Sequence, residues 1–115
     1  MPRALVLAAL GELATGVALL IVPSLVGWLL LGQELAGSAV PVARVAGIAL
    51  IGLAIACWPG PPRAGMLAYS AAVALYLAWL GLTGSATGTL LWPAVILHLI
   101  LSALLIRDWR VDLRR

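Results

Sequence analysis

Ala8-Ala9-Leu10-Gly11-Glu12-Leu13-Ala14-Thr15-Gly16 sets one carboxylate in the middle of an apolar run that extends from Ala4 to Val22. A helix of that length, rising about 1.5 Å per residue, matches the roughly 30 Å hydrocarbon core of a bilayer. The rest of the chain makes lipid its solvent. Its 115 residues are 64% hydrophobic and 10% charged, with mean hydropathy +1.17, whereas a soluble domain carries about 25% charged residues. A chain this short has too little interior to hide so much apolar surface from water. A secretory signal peptide is the competing reading of this start, given Arg3. Glu12 sits badly in such a core, and no convincing small-residue cleavage site precedes Pro23.

Working outward, Pro23 ends or kinks the first helix, and residues 24–32 resume as an apolar segment too short to cross again. Trp28 suits the headgroup boundary, so this segment reads as an interfacial or re-entrant turn. Gln33 to Val40 is a polar connection. Pro41 fits the first turn of a second helix, about 41–58, where its missing N–H costs nothing. Ala39, Ala43 and Gly47 recur in it at a spacing of four, which lets helix backbones approach closely in lipid. Pro59-Gly60-Pro61-Pro62-Arg63 is a break. Two more helices follow, about 66–82 and 90–106, separated by the polar turn Gly84-Ser85-Ala86-Thr87-Gly88-Thr89, and a basic tail, 107–115, with Trp109 as interface anchor. The expected fold is all-α: a single four-helix transmembrane bundle over residues 1–115.

The chain has seven basic residues, all Arg, and a net charge of +3. A sequence pI near 10 could suggest nucleic acid, but four of the Arg residues crowd into the last nine positions beside Asp108 and Asp112, with no basic groove interleaved with aromatics. Contact with anionic headgroups explains the tail more simply. Arg3, Arg63 and the Arg residues from Arg107 onward fall on one side of a four-pass topology, with Arg44 near the other, and the positive-inside rule then places both termini in the cytoplasm. Gly11, Gly16, Ala18 and Pro23 recur at a constant offset as Gly47, Gly52, Ala54 and Pro59, a pattern that so biased a composition also produces by chance.

Counting depth from the cytoplasmic ends puts Glu12 and His98 roughly 12–14 Å in and Tyr76 about 15 Å in, near the bilayer centre. Thr15 and Ser102 lie one turn from Glu12 and His98, and Arg44 reaches Glu12 only by bending inward. These six residues form the candidate intramembrane polar site. A charged group at a membrane helix centre costs about 2.5–3.5 kcal/mol on insertion scales, so Glu12 should face the bundle interior, be protonated or be paired. Two readings stand side by side: a transport or proton site, or a satisfied interhelical hydrogen bond. For His98 the ordinary reading is helix–helix glue, and for Tyr76 and Trp79 core packing. Arg44 reads as a snorkelling boundary residue. Cys57 has no disulfide partner and reads as a small packed hydrophobe. One His without a second imidazole or thiolate in register builds no metal or haem site in one chain, although a homodimer could bring two His98 residues together. No phosphate loop or catalytic triad is present, so no cofactor and no enzyme activity is expected.

Pro23 through Leu30-Leu31-Gly32, followed by Ala43-Arg44-Val45-Ala46-Gly47-Ile48-Ala49-Leu50, resembles the small four-helix bacterial membrane proteins of the DoxX-like type. That resemblance covers roughly the first half of the chain. It implies a multi-pass protein of the bacterial inner membrane, sometimes a partner of redox enzymes. Glu12 in helix one, with Tyr76, Trp79 and Gly81 in helix three, is similar to the small multidrug resistance transporters, although a chain without Phe lacks their Gly-Phe-Thr-like connection. The first resemblance fits an accessory or interaction subunit of a membrane complex, and the small-residue stripes on helices one and two leave room for association with a membrane protein partner or a second copy. The alternative is a proton-coupled exporter in which Glu12, Tyr76 and Trp79 bind substrate.

Overall fold

The computed structural model describes residues 3–114, and among them every regular element is helical: α1 (Arg3–Ile21), α2 (Pro23–Leu31), α3 (Ala39–Cys57), α4 (Pro62–Leu82) and α5 (Leu91–Leu113). All but α2 are long and apolar enough to cross a membrane, which fits a small multi-pass integral membrane protein. The chain forms two compact units, one ending at Gly65 and the other starting at Met66, so that α4 belongs to the first by its opening turn only.

In the N-terminal unit, α1 stops where proline forces it to. The Val22 N–H still reaches the Ala18 carbonyl (2.8 Å), but Pro23 has no N–H to offer the Leu19 carbonyl, and the backbone leaves helical geometry at Val22 (φ −128°, ψ 59°). The chain restarts at once, with Pro23 at the first position of α2. The expected turn is therefore a nine-residue helix, closed by Gly32 at φ 76°, whose N–H bonds the Trp28 carbonyl. Leu25, Trp28, Leu29, Leu30 and Leu31 are exposed. The connection folds back on the other side of α2: Leu35 lies so close to Gly27 that a Cβ there would meet its Cγ at 2.6 Å, and Ser24 Oγ donates to the Leu35 carbonyl (3.1 Å).

Helix α3 starts at Ala39, two residues before Pro41, which therefore still lies within the first turn. It runs antiparallel to α1, because Gly16 opposes Gly47 while the later Leu20 opposes the earlier Arg44. Of the expected small-residue stripe, Ala43 and Gly47 are buried, but Ala39 is exposed. A Cβ on Gly16 would stand 2.7 Å from the Gly47 carbonyl oxygen, and one on Gly47 2.6 Å from the Gly16 oxygen, so the two backbones touch. The first turn of α4 docks in the same manner, with Gly65 against the Gly52 carbonyl and Ala56. That helix begins one turn earlier than the expected residue 66 because Pro62 opens a helix rather than breaking one.

In the C-terminal unit the rest of α4 pairs with α5. The Trp92 indole lies against Gly81, and Tyr69 meets His98. Helix α5 runs on through Leu113 rather than ending at Ile106. Arg107 ends the apolar run, but nothing from Arg107 to Leu113 is a helix breaker.

Candidate functional site

Glu12 is half-buried on α1, three residues after the buried Ala9 and four before the buried Gly16. That spacing puts it at the border of the face that meets α3. No hydrogen bond or ion pair holds its carboxylate among the described residues. On the other side of it run Ala4, Ala8, Gly11 and Thr15, one stripe of small exposed residues, and a Cβ added at Gly11 meets no atom within 4 Å.

The other candidates of this unit are engaged elsewhere. Thr15 Oγ1 donates to the Gly11 carbonyl of its own helix (2.9 Å). Arg44 donates through Nε to the Leu20 carbonyl (3.3 Å) at the end of α1, eight residues or about 12 Å along the axis from Glu12. Its positive charge thus lies at the negative end of the α1 dipole, where the helix has run out of N–H donors.

In the C-terminal unit, His98 Nδ1 lies 2.8 Å from the Ala94 carbonyl. A carbonyl only accepts, so Nδ1 carries the proton, and in the neutral ring Nε2 keeps its lone pair. The Tyr69 ring meets the imidazole edge-on, with centroids 5.8 Å apart, while Ser102 Oγ donates to the His98 carbonyl (2.7 Å). Tyr76, which depth counting set level with His98, instead stacks on Trp79 at 6.4 Å. Its hydroxyl, like Ser70 Oγ, is buried without a hydrogen-bond partner among the described residues. Tyr69 was missed because depth was counted from Met66; starting at Pro62, α4 shifts that count by one turn, about 6 Å.

So the structure joins Ser102 to His98 and Tyr76 to Trp79, and it sends Thr15 and Arg44 to the backbone of α1. Glu12 and His98 belong to different units. Among the described residues no three His, Cys, Asp or Glu side chains gather as a metal ion would require. Charge lines a surface groove of about 270 Å³ formed by Ser24, Leu25, Trp28 and Glu34, and another of about 280 Å³ at the end of α5. No protein-family model, curated protein or solved structure matches the chain.

Proposed function

We propose that the chain is an accessory subunit of a membrane complex, without a catalytic centre of its own, which docks a partner's transmembrane helix along the Ala4, Ala8, Gly11 and Thr15 edge of α1. The observation that carries this reading is Glu12, a carboxylate within a membrane-spanning stretch that has no partner among the described residues and borders an exposed edge of small residues. Small residues admit a second backbone closely enough for van der Waals packing to hold it, and a donor from that helix would relieve the cost of the carboxyl group. The DoxX-like resemblance supports the same reading and a place in the bacterial inner membrane, and the side on which the arginines fall supports cytoplasmic termini.

The test is site-specific photo-crosslinking in cells, with a photoreactive side chain at Gly11. The expected product is an adduct with one membrane protein. Gly11→Leu should abolish its co-purification, and Glu12→Leu should weaken it more than Glu12→Gln, while each variant still inserts. Gly11 suits this purpose because its surroundings within the chain are open. Adducts with lipid alone, together with proton flux in liposomes under a pH gradient that Glu12→Gln abolishes, would replace this reading with the proton-coupled carrier.

A further inference from the structure

Helix α5 carries its charges in an order around the axis as well as along it. Arg107, Arg110 and Arg114 stand at i, i+3 and i+7, which at 3.6 residues per turn confines them to about 60° of arc. Asp108 and Asp112 project from the flank and the far side of the helix. The three guanidinium-bearing residues, all exposed, line a groove of about 280 Å³ together with Ala103, Ile106 and Val111. Arg107 on this face pairs with Asp108 at 3.4 Å, and both side chains are more than 60% exposed. Such a pair is worth little against a stronger anion.

The position along the helix says which anion. The segment Leu91–Ile106 is apolar, so Arg107 marks the end of the hydrocarbon core. The headgroup layer beyond it is about 5–7 Å thick. Arg110 lies one turn out, within that layer, and Arg114 stands about 10 Å beyond Arg107, in the water just outside it, with a side chain long enough to reach back to the headgroups. Ala103 and Ile106, on the membrane side of the groove, offer an apolar wall to the glycerol and upper acyl chain of a lipid whose phosphate meets the arginines. Guanidinium groups bind phosphate oxygens through paired N–H donors, whereas the bulky cation of a choline headgroup meets three like charges along the groove, whose lining holds no carboxylate.

We propose that this face of α5 is a binding site for an anionic phospholipid, selecting a phosphodiester headgroup of net negative charge over a zwitterionic one. This site is independent of the α1 edge and of any partner docked there.

The full-length protein, delipidated in detergent, is titrated with phosphatidylglycerol and with phosphatidylcholine of the same acyl chains, and bound lipid is counted by native mass spectrometry. Phosphatidylglycerol should bind more tightly. Arg110→Gln and Arg114→Gln should each weaken it about fivefold, the worth of one basic residue at an anionic surface, and leave phosphatidylcholine unchanged. A variant with Lys at all three positions should keep the preference, and unchanged helicity in every variant separates lost binding from lost fold. Equal binding of the two lipids by the unaltered protein would overturn the proposal, as would a preference that survives Gln at all three positions or vanishes with Lys. Displacement of the lipid by free glycerol phosphate at matched concentration would overturn it in favour of a soluble phosphate, and displacement by an acidic peptide in favour of a protein partner.

Discussion

Arg44 shows at the scale of one residue how an ionisable side chain is accommodated in an apolar helix. Its Nε donates to the Leu20 carbonyl, one of the groups that α1 leaves without a continuing helix when Pro23 intervenes. A charge-assisted hydrogen bond of this kind contributes about 1.5–3 kcal/mol, with the helix dipole adding to it. We therefore expect Arg44→Met to destabilise the protein by about 1–2 kcal/mol in a denaturant titration from detergent micelles, with faster amide exchange at the end of α1 and Arg44→Lys in between. Thr15→Ala should change stability by less than about 0.5 kcal/mol in the same titration, because its hydroxyl serves only the Gly11 carbonyl, which keeps its own helical bond. Both residues were identified from the sequence as polar candidates near Glu12. That their partners are backbone carbonyls was not legible there, since a carbonyl freed by a helix end becomes an acceptor only once a second helix delivers a donor to it.

Between elements, the α1–α3 seam depends on two glycines. Each Cβ that either lacks would lie under 3 Å from the opposing backbone oxygen, and backbone cannot yield as a side-chain tip does. Gly16→Ala and Gly47→Ala should each cost about 1–3 kcal/mol, as overpacking does. The double variant should cost less than their sum, because one separation of the helices relieves both contacts. Gly11→Ala is the control: with nothing near its Cβ, it should be neutral or stabilising by up to about 1 kcal/mol, the gain of Ala over Gly in a helix interior. Unfolding titrations of the four variants decide the matter, and equal effects at Gly11 and Gly16 would remove the seam. Spacing alone singled out Ala39, Ala43 and Gly47 on α3, and two of the three are buried; the third is not, because α3 has barely begun at Ala39 and its first residue lies at the rim.

For the molecule as a whole, four helices are long and apolar enough to cross a membrane, and if each of them crosses, an even number of passes returns the two ends to one side. Cysteines introduced at Arg3 and at Val111, in a chain whose own Cys57 is replaced by Ser, should react with an impermeant maleimide from the same face of the membrane. Labelling from opposite faces would mean that one of the four long helices does not cross. The four long helices followed from the sequence by itself, though the short α2 did not: in hydrocarbon a backbone must satisfy its own hydrogen bonds, so a long apolar run has no choice but helix. The same constraint placed Glu12 within a span. Helix ends were read less well where charge or proline was mistaken for termination, as at Pro62 and Arg107. Only the tertiary structure decided which faces meet: Gly16 with Gly47, Arg44 with the Leu20 carbonyl, and Tyr69 rather than Tyr76 with His98. The physical reason is the solvent. Lipid tails are as apolar as leucine, so hydropathy that announces a span says nothing of its inner face, and the choice falls to backbone shape and to a few polar groups whose partners lie far away in the sequence.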